Sequence, residues 1–272
     1  MFNLIIRRRF SLLISNTTSA AELKSNDIKR MRLKIESCKS YDELTPKVEI
    51  PSHLKELSTY DFSDISLEKL SFMNSNNYMI KNIGKSLWTL SNEEVSEGNV
   101  DLFAEQLLTS ITENDSVILE PKRYLEESIG DKLLTSINDI IVKTILEGKE
   151  LYTIVTEESK LISTGNTAEP QLIGGALLAA MDNYKQHGNK YNSYPIGMLR
   201  FRSHYISIYK ANFTLTYLQD LKNGEPKEDV IVKKYSKHIN TKSPVDRGLD
   251  FKNTIHRKDI IESIYSLIKY II

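Results

Sequence analysis

Three charged side chains near the middle of the chain, Asp139, Glu158 and Lys160, have the types and spacing of a phosphate-cleaving site. Two carboxylates with an ammonium two residues past the second can hold a hard divalent ion, because Mg²⁺ is bound through one or two carboxylates plus phosphate oxygens of the substrate. The lysine would then orient a water or offset charge on the phosphorus. The glutamate is doubled, in Glu157-Glu158-Ser159-Lys160, so the register leaves Glu157 open as the inward acid. Asp131 is a rival for the aspartate, but it sits in helix-period text, whereas a strand-like run follows Asp139 directly.

For these groups to meet, two extended segments must lie side by side. Ile140–Ile145 and Leu151–Val155 are short runs rich in Ile, Val, Tyr and Thr that flank a turn at Gly148. The second run is apolar on both parities, as in a strand covered on both faces. Unbroken alternation sets Tyr152, Ile154, Thr156, Glu158 and Lys160 on one side.

In this setting the residues resemble the PD-(D/E)XK nuclease superfamily. Asp139 is followed by Glu158-Ser159-Lys160, and the order is similar: a helix, a hairpin carrying the acids, then a helix opened by Gln171 in QLIGGALLAAMDNYKQ. The run YPIGMLRFRSHYISIYKA is similar to the following strand pair of divergent fungal members, so the resemblance spans Asn99 to Lys210. It implies an α/β fold of restriction-endonuclease-like type, a mixed central sheet flanked by helices, with Mg²⁺ (or Mn²⁺) as cofactor and DNA or RNA as partner. Asp139 and Glu158 would be metal ligands, with Glu105 on the first helix as an extra carboxylate. Lys160, Gln171 and Glu158 would be catalytic. Asn138 stands where the family carries proline.

The expected activity is metal-dependent hydrolysis of phosphodiesters. Composition is that of an ordinary folded chain, with 40% hydrophobic and 26% charged residues among 272 and a formal net charge of +0. A polyanion must therefore be met by a local patch. Arg200, Arg202 and Lys210, with His204 and interleaved with Phe201, Tyr205 and Tyr209, form the candidate nucleic-acid surface, since cations meet phosphates and aromatic rings stack on bases. The alternative for that stretch is a hairpin with aromatic core residues and a charged outer face. The neutral balance and Asn138 also suit a second function: an inactive nuclease fold that binds nucleic acid or protein.

A lone cysteine, Cys38, excludes an intrachain disulfide framework and a multi-cysteine zinc site. The start, residues 1–19, is acid-poor, with Arg7-Arg8-Arg9 between two short apolar runs. It suits a mitochondrial transit peptide or an unstructured leader. Without targeting, the chain would be soluble in nucleus or cytoplasm. Residues 20–98 are expected to be a mostly helical N-terminal extension, and 99–272 the nuclease-like core closed by a C-terminal helix. Helical text covers Ala21–Glu43, and YLEESIGDKLLTSIND is expected as a second core helix leading into the hairpin. The basic run KRMRLK reads as a solvated face and Trp88 as a core anchor.

Overall fold

Glu147 and Gly148 both have positive φ, 54° and 76°. Such a two-residue turn matches the right-handed twist of flanking strands. It closes the hairpin that the sequence places around Gly148. In chain order the strands are β1 (Thr17–Ser19), β2 (Leu33–Ser37), β3 (Val117–Ile129), β4 (Lys132–Leu146), β5 (Lys149–Glu158), β6 (Ser193–Arg202), β7 (Tyr205–Thr214), β8 (Val230–Tyr235) and β9 (Leu249–Asp250). The helices are α1 (Ser25–Arg30), α2 (Ser52–Thr59), α3 (Leu67–Ser71), α4 (Tyr78–Asn92), α5 (Glu97–Thr112), α6 (Ala168–His187), α7 (Leu215–Lys222) and α8 (Thr254–Ile271). This computed structural model describes residues 17–63, 65–72, 78–92, 96–112, 116–158, 168–236 and 248–271. Most of the leader, with Ser159, Lys160 and His238, falls outside them.

The described strands form one mixed sheet in the order β1-β4-β5-β6-β7-β8-β2, with β3 paired to β4 and β9 to β7. β3, β4 and β5 run as an antiparallel meander, and β6 joins β5 in parallel after the α6 crossover. One sheet face packs Val142, Ile154, Leu199 and Ile208 against Leu54, Leu87, Phe103 and Ile264 of α2, α4, α5 and α8. The other packs Ile141, Val155, Met198 and Val232 against Leu177 of α6 and Tyr217 of α7. Each such side chain contributes about 1.5–3 kcal/mol when fully buried. No described helix is long and apolar enough to cross a membrane.

Two helical expectations give way to strands. YLEESIGDKLLTSIND is the β3–β4 hairpin, turned at Gly130 with φ 61°. The apolar residues Leu125 and Ile129 are four apart, a spacing that shares one face in either a helix or a strand. Within Ala21–Glu43 the α-helix is only six residues, and Arg32, at φ 60°, redirects the chain into β2 along β8. Residues 20–98 thus supply an edge strand as well as helices and are part of the sheet architecture. Arg32 and Lys34 of the basic run ion-pair with Asp229. Trp88 is only half-buried.

α6 is covered on all sides, with every residue from Leu172 to Met181 buried. Its glycines permit that approach: a Cβ on Gly175 would lie 2.1 Å from Asn138 Oδ1, itself 1% exposed. Gly175→Ala is therefore expected to destabilise the fold by about 1–3 kcal/mol through overpacking. Chemical denaturation measures it, and a variant as stable as the parent would contradict the packing described.

Candidate active site

The β4–β5 ladder ends at the pair Ile141–Val155, and the Ile140 amide then donates to Thr156 Oγ1 at 2.9 Å. Asp139 precedes that point in β4 and Glu157 follows it in β5, so both acids sit where regular pairing gives out. Glu157 is 6% exposed. Its carboxyl is pushed up to about 9, first by burial and then by the charge of Asp139, against which Lys122 and Arg200 act only in part.

Glu157 faces inward because β5 carries a bulge. Register shifts between Val142 and Lys143, which pair with Ile154 and Tyr152 and leave Thr153 as the extra residue. Tyr152 and Val155 consequently face one core and Ile154 the other. Unbroken alternation from Tyr152 fails at that point, and Glu157 follows Val155. The side chain of Glu158 and all of Lys160 lie outside the described residues.

The ammonium that the structure brings to the acids is Lys122 of β3. Pairs Arg123–Asn138 and Pro121–Ile140 set it opposite Asp139. Its φ of 51°, uncommon for a residue with a side chain, marks a kink in the strand. Nζ lies 2.7 Å from Asp139 Oδ1 and 3.4 Å from Oδ2 of Asp101 on α5. Burial alone would lower the lysine's pKa, yet Asp139 and Asp101 outweigh it and the pKa is raised. Asp139 is itself raised, by burial above all, with Lys122 opposing and Glu97 adding. Asp101 is raised by burial and by Asp139 against Lys122. Its Oδ1 is buried with no hydrogen-bond partner among the described residues.

Other expected site residues are dispersed. Glu105 is exposed, in a groove with His53, Glu56 and Tyr78, so Asp101 one turn earlier is the α5 acid that reaches the Lys122–Asp139 pair. Gln171 is half-buried near the start of α6. Arg200 is 5% exposed and stands in register with Glu157 of β5 and Ser207 of β7. Arg202, half-buried, shares its strand face by alternation. Lys210 lies on the opposite sheet face, 3.7 Å over the ring of Tyr270, and burial with Lys233 lowers it to about 8. Tyr209 is buried, and its hydroxyl donates to Glu169. The expected continuous basic surface is thus split across the sheet, because Arg200 shares a face with its partner Ser207 and Lys210 lies three residues, an odd number, beyond Ser207.

Lys122 and Asp101 were not signalled by spacing. Lys122 acts from a strand that reads as neither hairpin arm nor motif, and only the kink aims it. No protein-family model matches the sequence, and no curated protein matches it.

The donors bear on the magnesium ion that the resemblance implies. No group of three or more His, Cys, Asp or Glu side chains among the described residues is arranged to hold a metal ion. Mg²⁺ asks less of a protein, commonly one or two carboxylates, with water and phosphate completing the shell. Asp139 and Glu157 are two carboxyls of that kind: Glu157 is buried and raised by the charge of the part-buried Asp139, a repulsion that a cation would relieve.

Proposed function

We propose that this chain is a divalent-metal-dependent nuclease of PD-(D/E)XK type that hydrolyses phosphodiesters in DNA or RNA. The observation that carries the reading is the part-buried Asp139 and the buried Glu157 whose charges interact, with Lys122 at hydrogen-bond distance from Asp139, at the open end of a central hairpin. The order of elements supports it: helix α5, the meander β3–β4–β5, helix α6 with Gln171 near its start, then the pair β6–β7. That order is what the resemblance implies for a restriction-endonuclease-like core.

Asp139 and Glu157 would hold Mg²⁺ or Mn²⁺, which when bound polarises phosphate and lowers the pKa of a water. Lys122 would meet negative charge developing on the phosphate from a position fixed by Asp139 and Asp101. Gln171 would orient water at the start of α6. Burial strengthens each of these electrostatic contacts.

The test is cleavage of single-stranded and duplex DNA and RNA by the purified chain with Mg²⁺ or Mn²⁺. Lys122→Met is expected to slow cleavage by about 10²-fold, the scale of one lost charge-stabilising donor. Wild-type and variant rates that agree would remove Lys122 from the site, and a wild type without metal-dependent cleavage would sink the reading.

One observation favours the alternative of an inactive binding module: Lys122 already places a positive charge on Asp139. In that case Lys122→Met would destabilise the fold, and nucleic acid or protein would be bound without cleavage.

A further inference from the structure

Arg200 is 5% exposed, yet its Nε has no hydrogen-bond partner among the described residues. A buried N–H donor lacking an acceptor is a standing cost, and Arg200 Nε is one. Three neighbouring strands frame it. Glu157 of β5 and Ser207 of β7 flank it in register, and Tyr209, two residues on from Ser207, lies in register with Lys234 of β8.

That row is tied to the start of α6. Glu169 in the first turn accepts from Tyr209 Oη at 2.9 Å and from Lys234 Nζ at 2.7 Å. Lys234 also lies 5.3 Å over the Tyr209 ring. Glu169 and Lys234 compensate each other, whereas Arg200 faces Glu157, whose carboxyl is pushed up to about 9, and has no ion pair among the described residues. α6 is 20 residues long, and its N-terminal amides carry the positive end of the helix dipole. A helix end alone would say little. A buried arginine with an unused donor on the same face supplies the second observation.

The geometry points to a phosphate-binding subsite formed by Arg200 and the first turn of α6, with Glu169, Tyr209 and Lys234 as its frame. Its ligand is a phosphate group, and Arg200 takes the phosphate of a nucleic-acid strand while the acid pair lies one strand away. Naming the ligand as a nucleic-acid strand rests on the nuclease reading; the affinity for phosphate does not. Planar donors of arginine fit phosphate oxygens in pairs, which a lysine cannot reproduce.

The experiment measures binding of inorganic phosphate and of a short single-stranded oligonucleotide to the full chain in EDTA. Wild type, Arg200→Gln, Arg200→Lys and Asp139→Asn are compared. Arg200→Gln is expected to weaken both ligands by about tenfold or more, the effect of losing a hydrogen bond to a charged group. Loss confined to the oligonucleotide supports a site shaped for a phosphodiester; loss confined to inorganic phosphate overturns the strand assignment. Unchanged affinity for both overturns the subsite. Should the glutamine variant fail to fold, Arg200→Lys takes its place, expected several-fold weaker, and wild-type affinity in it overturns the proposal. Asp139→Asn is expected to retain phosphate binding while losing cleavage, so failure of the subsite and failure of the nuclease reading give different patterns.

Discussion

Glu157→Gln is expected to abolish metal-dependent cleavage and, at alkaline pH, to stabilise the fold. The glutamate's ordinary value is 4.5, and in the folded chain burial and Asp139 push it up to about 9. Between those values the unfolded chain binds fewer protons than the folded one, so stability falls as pH rises through that window. Glutamine removes the slope. The gain is expected to be negligible near pH 4 and to reach roughly 1–3 kcal/mol by pH 8, the range for relieving a buried group left unpaired. Cleavage should drop on the order of 10³-fold or more, because a carboxylate proposed to hold the cation is lost. In the proposed site a cation has to displace the Glu157 proton, so wild-type cleavage should rise with pH up to about 9. Thermal denaturation and cleavage across pH test this together. A carboxyl with a purely structural role would give the reverse: a less stable variant whose activity follows its folded fraction.

The second large effect lies outside the acid pair. Arg257→Met is expected to lower stability by about 3–5 kcal/mol. Arg257 is 0% exposed. It donates to the carbonyls of Leu57 at 3.1 Å, Phe251 at 3.0 Å, Lys252 at 3.1 Å and Tyr60. Its guanidinium also lies 4.8 Å over Phe62 and 5.8 Å over Phe251. Burial pulls it down to about 10, so it stays protonated at neutral pH. This one side chain ties the end of α2 to the turn that starts α8. Methionine keeps much of the apolar stem and removes every donor, so those carbonyls lose the bonds from Arg257. At about 2–4 °C per kcal/mol the melting temperature should fall by roughly 10 °C. A loss below about 1 kcal/mol in denaturant would mean that water or backbone rearrangement replaces those bonds.

How much of this was legible depended on whether neighbouring residues or distant ones decide a position. The Gly148 hairpin was readable because its turn residues and β-branched flanks are local. The helix after Pro170 and the strands on either side of Ser203 were readable for the same reason. β3 was not, since Leu125 and Ile129 satisfy both periods and only the pairing with β4 chooses between them. The choice between Glu157 and Glu158 turned on a bulge at Thr153, whose hydroxyl donates to the Val142 carbonyl at 3.0 Å. Nothing in EESK records that event. Lys122 depends on a kink and on two acids 21 and 17 residues away, at 101 and 139, that only the fold brings together.

Calorimetric titration of the full chain with Mg²⁺ or Mn²⁺ at pH 8 tests the acid pair most directly. The wild type should bind the ion with release of a proton, and Asp139→Asn and Glu157→Gln should each lose that binding while remaining folded. Equal binding by all three, or none by the wild type, would contradict the assignment of Asp139 and Glu157 as a cation site.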